Sequence, residues 1–272
     1  MSIEQESHCE REKEQAWLHQ NHMIESLLEC GIQVYAQRLE SISDTFKSEN
    51  HTLCCIDEGT PFGDMRCAGS GILLEGEERR IFIKNLKEAG VKEVTSHVSC
   101  GAAGLYREKK GIIDKTTDEV AIEGANRMAE ELGVPYTGHR EDLNRPKEFH
   151  NARVIYIDAT GRFNPSLVEG LPQGFVVSRR YMSQTQTVSE VQIAMSIAMG
   201  DHGFGKKFSQ DMPLILIALG EEGSGEYSTN QLRKDFENFL SSHRDKPIKL
   251  DTWTVRTNEE TSLSEEEWSL AA

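Results

Sequence analysis

His97-Val98-Ser99-Cys100-Gly101 decides how this chain reads. A histidine and a cysteine three residues apart, where a strand ends and a helix starts, can face one metal ion from the same side. They supply two ligands, and a tetrahedral zinc site needs at least one more from the protein. Cys55, in Cys54-Cys55-Ile56-Asp57-Glu58-Gly59, is the best candidate. Residues 52–57 read as a short buried strand. Residues 77–89 read as an amphipathic helix with Phe82, Ile83, Leu86 and Ala89 inward and Gly90 as its stop. Residues 91–96 form the strand that delivers His97. Strand, helix and strand in series predict a parallel βαβ unit. Strands joined by one crossover lie side by side with their C-terminal ends on one edge. That edge gathers Cys55, His97 and, one turn further on, Cys100. Two soft thiolates and an imidazole suit zinc. The helix beginning at Cys100-Gly101 favours the Cys100 thiolate through its dipole.

The same patterning extends in both directions. Residues 1–47 are helical in character: Trp17, Ile24, Leu28 and Tyr35 recur at roughly helical spacing, and Gly31 is a breaker. They predict an arm that packs on the core or on a partner subunit. Thr116-x-x-Glu119 and Thr187-x-x-Glu190 are capping boxes opening two helices. Residues 153–158, 174–178, 213–219 and 248–255 are strands, with 213–219 the most apolar and central. Residues 229–242 are a further helix. The organisation expected is a helical arm over 1–47, one α/β zinc-binding domain over 48–256, and an acidic tail over 257–272, in which Trp268 docks on the surface. No internal repeat is visible in the sequence. His139 and His150 flank a charged loop and read as solvated, Glu58 as an exposed loop residue, and Cys54 and Cys67 as core. Gly200-Asp201-His202-Gly203-Phe204-Gly205-Lys206 imitates a phosphate loop. It follows a helix rather than a strand and lacks the Ser or Thr that holds magnesium.

Composition narrows the partners. The chain has 272 residues and a formal charge of −15, which opposes binding to nucleic acid or to an anionic membrane surface. No apolar run approaches the ~20 residues of a membrane span. The polar start lacks a secretory pattern. The six cysteines read as thiols of a cytoplasmic protein.

Cys55-x-Asp57, Gly63-Asp64, Arg66-x-Ala68-Gly69 and His97-x-x-Cys100-Gly101, in that order, resemble the β-class carbonic anhydrases. Tyr156-x-Asp158-x-Thr160-Gly161 is similar to a late strand-turn segment of that fold. The resemblance covers roughly residues 50–165. It implies a mostly parallel sheet flanked by helices, and one Zn2+ per chain held by Cys55, His97 and Cys100. It implies reversible hydration of carbon dioxide to bicarbonate through a zinc-bound hydroxide, oriented by Asp57. It also implies a homodimer or higher oligomer. The sequence departs from the family at Gly59, where the family has an arginine that pairs with the aspartate and keeps it off the zinc. Arg66 is the nearest candidate replacement. Two other functions stay open: a hydrolase of carbonyl sulfide or carbon disulfide, and a catalytically silent zinc-binding homologue acting as an interaction or regulatory module.

Overall fold

The computed structural model describes residues 3–61 and 63–256. The tail expected at 257–272, with Trp268, lies outside them. The first sheet holds β1 (Thr52–Cys54), β2 (Met65–Arg66), β3 (Glu93–His97) and β4 (Tyr136–Arg140), in the order β2-β1-β3-β4. The second holds β5 (Val154–Asp158), β6 (Gly174–Ser178), β7 (Leu214–Glu221) and β8 (Ile248–Val255), in the order β6-β5-β7-β8. Every ladder within each sheet is parallel. The helices are α1 (Ile3–Gln37), α2 (Gly76–Glu88), α3 (Gly101–Lys110), α4 (Thr117–Leu132), α5 (Gln184–Ala198) and α6 (Thr229–Ser241). Parallel strands need crossovers; α2 to α6 provide those from β2 to β3, β3 to β4, β6 to β7 and β7 to β8, and loops join β1 to β2 and β5 to β6. Among the described residues no helix is long and apolar enough to cross a membrane.

The expected neighbours β1 and β3 pair directly, Leu53 against Val94. Strand β4 was not expected. Gly138, left-handed at φ 128, and a register irregularity between Val94 and Thr95 interrupt the alternation that would have marked it. The capping box at Thr116 and Glu119 forms as read. The one at Thr187 does not. Helix α5 starts earlier, capped by Ser183, which accepts from the Gln186 amide, and Thr187 lies inside the helix. That leaves Glu190 free to turn inward, where it is fully buried.

The arm packs on its own chain. Helix α1 bends at Gly31 (φ 77), where the next amide, Ile32 N, donates to Asp251 of β8 at 2.7 Å. Its Ile24, Leu27, Ile32 and Ala36 cover Val154, Tyr156, Ile215, Ile217 and Leu219 on one face of the second sheet. Ile155 and Ile157 alternate to the opposite face and join the main core. Near the middle of α1, Trp17 stacks on the buried Arg153 guanidinium, 3.3 Å from the ring centre.

The two sheets meet along β2 and β6. Val176 N donates to Ile56 O at 3.1 Å, and Arg66 N donates to Ser178 Oγ at 2.8 Å. Going from Val176 to Ser178 therefore passes from beyond the end of β1 back to Arg66, which is level with Cys54 inside β1. Strand β6 runs opposite to the first sheet. The N-terminal edge of the second sheet thus abuts the C-terminal edge of the first, and the loop before β5 is carried onto that edge.

Candidate metal centre

The C-terminal edge of the first sheet gathers the predicted ligands. Cys55 follows β1, His97 ends β3, and Cys100 caps α3. Ser99 is held in the left-handed region at φ 55, its amide donating to Asp118 Oδ1 at 2.8 Å. This sparsely populated conformation turns the backbone tightly enough for His97 and Cys100 to converge. Cys55 Sγ and Cys100 Sγ stand 3.9 Å apart. The ligand atoms of Cys55, His97 and Cys100 lie within 4.8 Å of one another, all on buried residues. His97 Nδ1 pairs with the Val98 carbonyl at 2.9 Å, so Nε2 is the free ligand atom. That Nε2 is buried and has no hydrogen-bond partner. A buried, unpaired imidazole nitrogen facing two thiols fits a metal ion, since buried polar atoms otherwise find partners.

Electrostatics prepare the same atoms. A hydrogen bond from Cys100, with help from His97, holds the Cys55 thiol well below its usual range against the effect of burial. Cys100, the donor to Cys55, is pushed up. Burial disfavours the His97 cation, but Asp57 and the Cys55 thiolate outweigh it and bring His97 to about 9. A metal ion would take the place of the protons that these groups share. Gly69 N also donates to Cys55 Sγ at 3.2 Å, so the glycine turn after β2 steadies one ligand.

Asp57 is 2% exposed and points at this seat, Oδ2 lying 3.9 Å from His97 Nε2. Its carboxylate is not held by Arg66. The Arg66 guanidinium donates to the backbone carbonyls of Cys55, Asp57, Thr60 and Gly63 and so fixes the loop itself. The carboxylate is held by Arg145, from the loop between β4 and β5. Arg145 Nε donates to Oδ1 at 2.9 Å and Nη2 to Oδ2 at 3.1 Å. This two-pronged bond is the strong geometry for an arginine and a carboxylate. Burial opposes the Asp57 anion, but His97, His150 and Arg145 hold its carboxyl well below the usual range.

Gly59 makes room for Arg145. A Cβ there would come within 2.5 Å of Arg145 Cγ and 3.1 Å of its Cδ. With only hydrogen at this position, the Arg145 stem fills the space. Arg145 was missed because it lies 88 residues from Asp57, in a charged loop with no periodicity. The absent side chain at Gly59 was the one clue.

Two further expectations fail here. His150 is buried rather than solvated, and Glu58 is not an exposed loop residue. His150 Nδ1 donates to Glu58 Oε2 at 2.9 Å and lies 3.7 Å from Asp57 Oδ2. Glu58 also accepts from Asn151 N at 2.9 Å. Asp57, Glu58 and His150 make a second group of close ligand atoms, but Arg145 and the Asn151 amide already engage its carboxylates. His139 is half-buried against Ser96 Oγ at 2.8 Å. Cys54 and Cys67 are buried, as expected, and burial pushes the Cys54 thiol up to about 12.

Beside Cys55 and Asp57 is a cavity of about 10 Å³ lined by Ile56, Ala68, Ala102, His150, Phe175 and Ile197. It is mostly apolar and has room for about one water-sized molecule. A wider cleft of about 730 Å³, lined in part by Cys100, Gly101, Arg145 and His150, opens next to it. His150 borders both. The arrangement therefore combines three ligand atoms that could hold one metal ion, a fixed carboxylate, and a small apolar space. No family model, curated protein or solved structure matches this chain.

Proposed function

We propose that this protein holds one zinc ion at Cys55, His97 and Cys100 and catalyses reversible hydration of carbon dioxide, as a divergent relative of the β-class carbonic anhydrases. The observation that carries this reading is the two-pronged hold of Arg145 on Asp57, next to three candidate ligands and a small apolar cavity of about 10 Å³. Sulfurs bound at about 2.3 Å in a tetrahedron stand about 3.8 Å apart, and the two here are 3.9 Å apart. Thiolate and imidazole ligands suit zinc better than magnesium or calcium. Bound zinc supplies water acidified to a pKa of about 7.

The chain's own residues do the rest. Arg145 keeps the Asp57 carboxylate turned toward its guanidinium. A carboxylate so held accepts a hydrogen bond from the attacking water and orients its lone pair, which is positioning rather than proton removal. Ile56, Ala68, Ala102 and Phe175 offer an apolar wall to an uncharged linear substrate and exclude larger ones. The wide cleft, lined in part by Arg145, Lys147 and His150, offers bicarbonate an exit.

The missing family arginine and the unmatched C-terminal hundred residues both speak for a silent zinc module, and Arg145 weakens the first of these. Carbonyl sulfide and carbon disulfide share the required geometry and remain the second substrate class. Stopped-flow hydration of CO2 by the purified, metal-analysed protein is the test. About one zinc per chain and a rate well above buffer, lost in Cys55→Ser and His97→Ala, are expected. A metal-free preparation, or a zinc-loaded one no faster than buffer, would sink the proposal.

A further inference from the structure

The two sheets repeat one plan. Each half runs strand, strand, helix, strand, helix, strand, the first half having one additional helix. Numbered within its own half, each sheet has the order 2-1-3-4 with all strands parallel. In each half a single-turn 3-10 helix follows the second strand, Ala68–Gly71 in one and Arg179–Tyr181 in the other. The halves meet through their second strands, β2 against β6, running in opposite directions. Two like units joined edge to edge in opposite directions have the arrangement of a twofold dimer.

The halves are not chemically equal. No cysteine or histidine stands just after β5, β6, β7 or β8 among the described residues. The corresponding turn after β5 has Asp158 accepting from Thr160 N and Gly161 N, closed on itself. Both groups of close metal-ligating atoms among the described residues lie on the first sheet's edge. The second half instead reaches into the site of the first. Phe175 of β6, with Ile193 and Ile197 of α5, lines the small cavity, and Arg145 and His150 arrive on the segment joining the halves. Glu190 of α5 accepts from Ala68 N at 2.6 Å and braces the glycine turn that steadies Cys55.

We infer that the chain is a tandem of two copies of one α/β module, and that the metal-free second copy is a built-in partner that closes the site of the first. The edge β2 is occupied by β6, so a second subunit cannot add there. One chain is then the complete functional unit, in place of the homodimer that the sequence resemblance implied.

The fusion itself stands apart from the proposed reaction, whereas its effect on turnover rests on that reading. Two measurements separate them. Light scattering after gel filtration, with metal analysis of the same peak, should give the mass of one chain carrying one metal ion. Metal content per chain should stay constant over a hundredfold dilution. A dimer that sheds its metal on dilution, or two metal ions per chain, overturns the inference whatever the substrate. The second measurement uses Ile197→Phe, a change in the second copy that fills the small cavity. Metal content and melting temperature should stay near wild type while kcat/KM for CO2 drops tenfold or more. Full activity in a folded, metal-loaded Ile197→Phe protein would also overturn it. A wild-type chain with one metal and no CO2 hydration would reject the reaction and leave the monomer-with-one-metal result to decide the fusion.

Discussion

Gly59 and Arg145 behave as one unit, and a double-mutant cycle can show it. Arg145→Ala leaves the Asp57 carboxylate 2% exposed without its two-pronged partner. Breaking a buried pair from one side costs roughly 3–5 kcal/mol. Part of that cost falls on stability, and part on the orientation of Asp57 beside the metal seat. If half falls on the transition state, the rate drops by roughly ten- to seventyfold. Gly59→Ala is the more discriminating change. The backbone there does not need glycine, because its φ is not positive. The added methyl would sit 2.5 Å from Arg145 Cγ, and overpacking of this kind costs about 1–3 kcal/mol. In an Arg145→Ala background the obstacle is gone, and Gly59→Ala should cost a few tenths of a kcal/mol. The coupling from urea unfolding of the four proteins should be about 1–2 kcal/mol. Gly59→Arg with Arg145→Ala should then recover activity relative to Arg145→Ala alone, because it returns a guanidinium from the other direction. Equal cost of Gly59→Ala in both backgrounds would refute the steric argument. Failure of the arginine swap in a folded protein would refute the functional one.

Three further outcomes are expected. Glu190, raised by burial to about 7, stays protonated in the folded chain over a range where the unfolded chain has lost its proton. Its folded value lies above the unfolded one, so stability falls as pH rises from about 4.5 to 7. Glu190→Gln should therefore raise the melting temperature at pH 8 by an amount worth ~1–3 kcal/mol and change little at pH 4.5; an equal shift at both would exclude the effect. Trp17→Ala removes the ring beneath Arg153 and should cost about 3–5 kcal/mol in chemical unfolding, whereas a loss under 1 kcal/mol would mean the arm contributes little. Arg66→Ala should loosen the 57–63 loop and lower melting temperature, yet retain metal; loss of metal with unchanged stability would contradict its place on backbone carbonyls.

Which parts were legible in the sequence follows from the range of the interactions involved. His97 and Cys100 are three residues apart, so backbone geometry alone puts them on one side of a strand-to-helix turn. Cys55 joined them through one crossover, and the topology of a βαβ unit is chirally restricted enough to be read from pattern. The capping box at Thr116 is a local hydrogen-bonding requirement, and it formed as read. Strand β4 escaped because its residues are half-exposed and glycine-interrupted, so no period-2 signal marks it.

The sequence by itself determined the parallel α/β character, the convergence of the candidate ligands Cys55, His97 and Cys100, and the carboxylate beside them, because each rests on short spacing or on one short-range topological rule. Only the tertiary structure decided that Arg145 rather than Arg66 holds Asp57, that His150 and Glu58 are buried together, and that the second half repeats the first. Those facts depend on two sheets meeting edge to edge in opposite directions. That contact brings together residues about ninety positions apart and is enforced by packing and edge hydrogen bonds. No local pattern encodes it, because an arginine in a charged loop looks the same whether it faces water or a carboxylate.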